Sequence, residues 1–344
     1  MRKSISAAAI VFLIYGLANA QDLSSTLSKV GNQYAEAYVA PAVNAFGADI
    51  NSGLFNTAKV GGILPFGLNL YVGVKAAASF IPSSDQSFGL SYLDTVAFNE
   101  SYNGRTYTIN VPTTFTVQNA PTIFGEKTDG QATFNVQKDT TITQNGFSHT
   151  FNLDSSATIS TIPGLLKTTI APIPIPQVGI GSVMGTDVFV RYLPKIKIGN
   201  YGSFQLLGYG IRHSVSQYIP LCPVDIAVQL GWQNLSIQDS TGSKVLKASA
   251  FAANLEVSKT FAILTVYAGL QTESSSVDIN YNYLPPATSI NPNPKPIPIS
   301  FSLKGKNTFR ELLGLNLGLG VLSVNVDYSL GAINVASAGI GVTI

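Results

Sequence analysis

The residues best suited to chemistry are few. The chain has two histidines, His149 and His213, and one cysteine, Cys222. Nucleophilic catalysis needs a base within hydrogen-bond reach of the nucleophile. The local candidate is His213, between Arg212 and Ser214 with Ser216 beyond. In an extended segment His213 shares its face with Ile211 and Val215, while Ser214 and Ser216 point the other way, so this pair fails. His149 sits in a Thr-rich polar stretch and reads as a loop residue. Asp187, Asp225 and Asp278 are dispersed, and no His, Cys or Asp cluster has metal-ligand spacing. A single cysteine has no disulfide partner. Asp129-Gly130 reads as a turn, and Gly179, Gly181 and Gly185 are too irregular for a phosphate loop. The expectation is a protein that is not an enzyme and carries no metal or cofactor.

Charged residues make up 11% of the chain, well under the usual quarter, beside 31 Gly, 18 Phe and 15 Tyr. Arg2 and Lys3, an apolar run over about residues 7–17 and the small residues of Ala18-Asn19-Ala20 read as a signal peptide over residues 1–20. Its removal leaves 18 basic residues against 18 acidic, so the mature chain is formally neutral. A neutral chain with no basic patch makes nucleic acid an implausible partner. No helix-length apolar run is free of turn residues. Low charge without a membrane helix fits a barrel whose outer face meets lipid.

Alternation supports this. Leu68, Leu70, Val72, Val74, Ala76, Ala78 and Phe80 oppose Asn69, Tyr71, Gly73, Lys75, Ala77 and Ser79. Val224, Ile226, Val228, Leu230 and Trp232 oppose Asp225, Ala227, Gln229, Gly231 and Gln233. Val277, Ile279, Tyr281 and Tyr283 oppose Asp278, Asn280 and Asn282. Three more alternating segments, with leucines set against glycines at 313–320, run to Ile344. A glycine at every second position weakens a helix and suits a strand. Residues 186–198, 203–218, 245–257 and 261–270 read as further strands. The fold class is all-β: a transmembrane antiparallel β-barrel of about 14 strands with a short N-terminal helical plug.

Four regions read differently. Residues 21–60 form a helix and hatch segment, with Leu27, Val30, Tyr34, Ala37, Tyr38 and Pro41 at helical spacing and a turn at 47–53. Tyr34, Tyr38, Asp49 and Asn51 are its hatch candidates, placed inside the barrel or against its periplasmic mouth. Within the barrel region, 61–344, long loops or strand extensions are expected near 99–160 and 285–300. The prolines of 163–176 suggest another irregular crossing.

Several stretches resemble an uncharacterised family of outer-membrane proteins. They are Tyr38-Val39-Ala40-Pro41, Gly47-Ala48-Asp49-Ile50-Asn51-Ser52-Gly53 with Thr57-Ala58, Pro121-Thr122-Ile123-Phe124-Gly125, Gly210-Ile211-Arg212-His213-Ser214 and Pro220 to Asp225. That family is similar in layout to the long-chain fatty-acid transporters. The resemblance implies an N-terminal hatch in the lumen and a hydrophobic ligand route. Asn51-Ser52-Gly53 stands near the expected place of the transporters' Asn-Pro-Ala hatch motif, which has no clear copy here.

Function is then expected in the lumen. Tyr71, Lys75, Asp187, Arg191, Asp225, Gln229, Asn254, Glu256, Asn316, Asn325 and Asp327 are the lumen-lining candidates, because charges inside a membrane are costly unless paired or hydrated. Phe261, Ile263 and Tyr267, opposite Leu264, Val266, Ala268 and Leu270, suggest a partly apolar wall. The leading expectation is a passive outer-membrane channel for small hydrophobic compounds such as fatty acids. Its partners would be outer-membrane lipid and a hydrophobic solute. The alternative is a structural or secretion scaffold, and a water-filled porin is third.

Overall fold

The computed structural model describes residues 32–61, 68–144, 147–197, 203–238, 242–283 and 295–344. The signal segment 1–20 and most of the 285–300 loop lie outside these. Helix α1 spans Asn32–Ile50 and strand β1 Asn69–Phe80. Four strands follow: β2 (Ser87–Tyr102), β3 (Arg105–Pro121), β4 (Gln131–Gln144) and β5 (Phe147–Ser160). Then come β6 (Ile170–Val183), β7 (Thr186–Lys197), β8 (Ser203–Ser214), β9 (Asp225–Gln238) and β10 (Lys244–Phe261). The last five are β11 (Leu264–Tyr283), β12 (Ile297–Lys304), β13 (Phe309–Leu319), β14 (Leu322–Leu330) and β15 (Val335–Thr343).

Among the described residues, ten strands close an antiparallel barrel in the order β1-β6-β7-β8-β9-β10-β11-β13-β14-β15, and β15 returns to β1. The expected count of about 14 is therefore wrong. Alternation identifies a strand without saying which sheet it joins. Strands β2 to β5 form a separate four-stranded sheet, where long loops or strand extensions were expected. Its two long hairpins are joined by a short β3–β4 ladder and enclose their own core of Ile109, Val111, Val136, Phe151 and Leu153. Strand β12 prolongs the β13 edge, since both pair with the 20-residue β11.

The barrel has two unlike ends. The turns at Met184-Gly185, residues 215–224, Ala262-Ile263 and Gly320-Val321 gather at one, beside Asn69 and Ile344. We call this the turn end. The β2–β5 sheet marks the other, the loop end.

Polarity inverts along β11. From Leu264 to Leu270 the even-numbered apolar side chains face outward, and Gln271 and Glu273 are buried inside. Higher up, Val277, Ile279 and Tyr281 are buried inside while Thr272, Ser274, Asp278 and Asn280 face out. A lipid-facing wall thus passes into a wall of water-soluble type within one strand. The upper lumen is an apolar core. Ile173, Ile175, Leu193, Leu206, Leu235 and Ile237 pack there on Val39, Ala42, Val43 and Ile50 of α1. The helix runs on to Ile50, past the turn expected from Gly47, and Gly47 lies within it against the Ser275 side chain, where a Cβ would not fit.

Two further expectations change. Residues 163–176 do not form an irregular crossing throughout, because Ile170–Val183 is a strand that holds Pro172, Pro174 and Pro176. Residues 261–270 are not one strand. They begin with the β10–β11 turn, so Phe261 and Ile263 are exposed at its tip and do not line the lumen, whereas Tyr267 is buried inside.

Candidate functional site

The chain leaving α1 descends through the lumen toward the turn end, and the wall takes hold of its backbone. This follows from the end of a helix, whose last carbonyls lack intrahelical partners and carry partial negative charge. Gly53, at φ 61°, turns the chain out of the helix in a conformation that favours glycine. Arg191 on β7 is fully buried and donates to the carbonyls of Ile50 (3.1 Å), Ser52 (2.7 Å) and Gly53 (2.6 Å). Its other donors reach Gln177 Oε1 at 3.0 Å and Gln233 Oε1 at 3.2 Å. Arg310 on β13 donates to the Ala48 carbonyl at 2.8 Å and the Ser52 hydroxyl, and pairs with buried Glu273. Gln271 donates to the Asn51 carbonyl at 3.2 Å, and Gln233 donates to that of Ile50.

A second tier lies nearer the turn end. Arg212 donates to the Thr57 carbonyl at 2.6 Å and pairs with Asp187 at 2.5 Å, with the buried Glu256 3.8 Å away. Lys75 donates to Asn325 Oδ1 at 2.7 Å, and Tyr267 donates to Asp327 Oδ2 at 2.9 Å. Leu54 and Phe55 press on Phe189 and Tyr267 beside these polar groups. Tyr267 fits because Gly314 faces it, and a Cβ there would lie 2.3 Å from the ring. Below is a cavity of about 320 Å³ at the turn end, lined by Tyr71, Asp187, Phe189, Arg212, Gln229 and Asn316 among others. Tyr71 Oη, Asp187 Oδ1 and Arg212 Nε have no hydrogen-bond partner among the described residues.

The structure places Tyr71, Lys75, Asp187, Arg191, Gln229, Asn254, Glu256, Asn316, Asn325 and Asp327 on the interior face. Asp225 shares that face at the rim, opposite Ser258. Of the hatch candidates, Tyr38 donates to the Pro163 carbonyl at 3.1 Å, and Tyr34 packs edge-on to Phe88. Asp49 accepts from Ser79 at 2.6 Å, and Asn51 donates to the Phe251 carbonyl at 3.2 Å. Tyr34 and Tyr38 therefore lie toward the loop end of the barrel interior. Sequence reasoning missed Arg310, Glu273, Gln271 and Gln177. They keep the inward parity of their strands, but that parity shows only once each strand's limits are known. His213 faces outward and bonds Thr186 at 2.8 Å and Tyr218 at 3.0 Å, while Ser214 faces inward.

The wall is not zipped along its whole height. β6 pairs with β1 from Ile170 to Gly181 without a break. With β7 it pairs only from Gln177↔Arg191 toward the turn end. Pro172, Pro174 and Pro176 recur every second residue, so their missing donors fall on one edge. The β1 ladder runs past all three, so that edge is the one facing β7. Pro194 removes another donor from the opposing stretch of β7. The result is an unbonded seam from Pro176 upward, about 15 Å long. It stands beside Val74 to Ala78, in the half of the belt nearer the loop end, and Ile173, Ile175 and Leu193 lie just inside it.

Fold and site together define a plugged, closed antiparallel β-barrel with an apolar outer wall, the fold of outer-membrane barrel proteins. Within that class the chain belongs to the family of unknown function DUF6588, whose model matches residues 1–344. No curated protein matches it. Solved structures with similarity include a loop-deletion mutant of OmpT, an outer membrane protein of Vibrio cholerae. It is 11% identical, with 80% of this chain and 99% of that chain covered and a TM-score of 0.24. OccK11 of Pseudomonas aeruginosa is 8% identical, with 80% and 95% covered and a TM-score of 0.22. A BenF-like porin of Pseudomonas fluorescens Pf-5 is 8% identical, with 80% and 98% covered and a TM-score of 0.20. At such TM-scores neither strand number nor ligand follows from the likeness.

Proposed function

We propose that the chain is an outer-membrane barrel that passes small hydrophobic compounds, fatty acids being one class, between the lipid and its own interior. The loop end would face outward and the turn end the periplasm, the usual disposition of long and short connections. The observation that carries the reading is the β6–β7 seam. In lipid an unpaired strand edge is costly, so a wall that gives up its ladder at four prolines is spending stability on an opening. Behind the seam lies apolar core, where an apolar compound leaving the bilayer would find similar surroundings once α1 yields. The polar tier and the cavity at the turn end lie on the way out.

The test is uptake of labelled long-chain fatty acids and other apolar compounds by a deletion strain. The strain would carry either the wild-type gene or the triple variant Pro172→Val, Pro174→Val, Pro176→Val. The wild type restores uptake and the triple variant does not. Equal uptake with and without the gene, across several apolar substrates, ends this reading.

A second reading keeps support from the filled lumen. Buried carboxylates are paired there and the plug is held from both sides, as a scaffold without transport would have it. The β2–β5 sheet would then be the working part.

A further inference from the structure

The four turns at the turn end are unusual in composition. Met184-Gly185, residues 215–224, Ala262-Ile263 and Gly320-Val321 contain no Asp, Glu, Lys or Arg. Each carries exposed apolar side chains at its tip. Leu221 is 100% and Met184 88% exposed, and Tyr218, Ile263 and Val321 are also exposed. Turns that stand in water are ordinarily polar.

Away from the β1–β6 side the lipid belt is short without them. Outward apolar positions run from Ile226 to Trp232 on β9 and from Leu264 to Leu270 on β11. At ~3.3 Å per residue and a tilt of ~40°, seven residues give a height of only about 15 Å. Leu322 to Leu330 on β14 gives about 20 Å, and only the β1–β6 side, apolar outward from Leu70 to Phe80 and from Ile180 to Ile170, reaches about 25 Å. An apolar band is ordinarily ~25 Å tall. On β9, β10 and β11 the belt does not extend toward the loop end, because the next outward residues are Asn234, Ser236, Ser249, Thr272 and Ser274, whereas on β1 and β6 it runs on to Phe80 and Ile170. It extends toward the turns, whose tips continue it past the outward polar side chains Thr186 and His213, which bond each other, and Lys259, which is held on the Pro223 carbonyl.

We propose that these four turns are seated in the periplasmic leaflet. Their tips reach the boundary between headgroups and acyl chains, and the cavity at the turn end opens within the headgroup layer. The occupant of this apolar ring is lipid, because the ring adjoins the lipid-facing belt and completes its height away from the β1–β6 side. The inference rests on that belt and not on transport.

The single native cysteine, Cys222, lies beside Leu221 in the longest of these turns. The full mature chain would be labelled there with an environment-sensitive fluorophore and placed in phosphatidylethanolamine/phosphatidylglycerol vesicles with iodide on both sides. Thr158→Cys in a Cys222→Ser background supplies a water-exposed reference on β5, and Val326→Cys a mid-belt one. The label at Cys222 is expected to show blue-shifted emission and quenching by lipids spin-labelled near the headgroup. Its quenching by iodide should be several-fold weaker than at Thr158→Cys. Met184→Cys in the same background should behave alike. If both positions quench with iodide like Thr158→Cys and not with spin-labelled lipid, the turns project into water and the proposal is overturned. Val326→Cys separates that outcome from failure of the belt itself, because it must be quenched by lipid in either case.

Discussion

Arg191 and Arg310 stand five strands apart in a ring of ten and close on one residue, Ser52. Arg191 donates to its carbonyl at 2.7 Å, and Arg310 donates to its hydroxyl. The plug is thereby clamped across the diameter of the barrel just below the end of α1. The two cations are not equivalent. Arg310 shares a carboxylate with the wall, while the charge of Arg191 is satisfied by carbonyl and amide oxygens alone.

That difference sets the first expectation. Arg310→Met leaves Glu273 buried without its cation, which costs about 3–5 kcal/mol. The double variant Arg310→Met, Glu273→Gln should regain a large part of this. Urea unfolding, read from the electrophoretic shift between folded and heated barrel, measures both. A double variant no better than the single one would show that the pair is not the source of the loss.

Arg191→Met acts on the plug more than on the wall. Three carbonyl bonds to residues 50–53 disappear, and no carboxylate is stranded. Planar-bilayer recordings should show conducting bursts several-fold more often than in the wild type. A variant as quiet as the wild type would place the hold on the plug elsewhere, on Arg310 and Gln271 first.

The seam carries a stability expectation apart from uptake. Valines at 172, 174 and 176 return three donors to the edge facing β7. A zipped ladder at ~1 kcal/mol per bond would raise stability by about 1–3 kcal/mol. An unchanged urea midpoint would mean that β7 does not approach the restored edge.

Asp49 offers a pH test. Burial pushes its carboxyl well above the usual carboxylate range, against the opposing effect of the Ser79 hydroxyl and of Arg310. The folded chain therefore holds the proton more tightly than the unfolded chain. Its contribution is fully present below the usual carboxylate range and fades as pH rises toward the raised value. Asp49→Asn should flatten the fall of the unfolding midpoint over that window. A slope identical to that of the wild type would show that Asp49 does not titrate there.

Some of this was legible in the chain. Lys75 and Arg191 could be placed inside because each is flanked by apolar neighbours of opposite parity, and a one-residue shift would have put them in lipid. The N-terminal helix was legible from its spacing. Arg310 was not, since it lies just inside a strand whose start is fixed by pairing to Thr272. The upper core was not legible either. Val277, Ile279 and Tyr281 alternate just as lipid-facing residues do, and only their height in the barrel turns that face inward.

By itself the sequence determined what is local: a period of two, a helix near the N-terminus, the absence of charge in the turns, and three prolines on one edge. The tertiary structure decided what depends on partners distant along the chain. It sent β2 to β5 to a sheet of their own, closed ten strands, and brought Arg191 and Arg310 to one serine. The reason is that alternation records only that a strand has two faces. Which face meets lipid, water or core depends on where closure of the sheet places the strand, and closure is set by pairing across the whole chain.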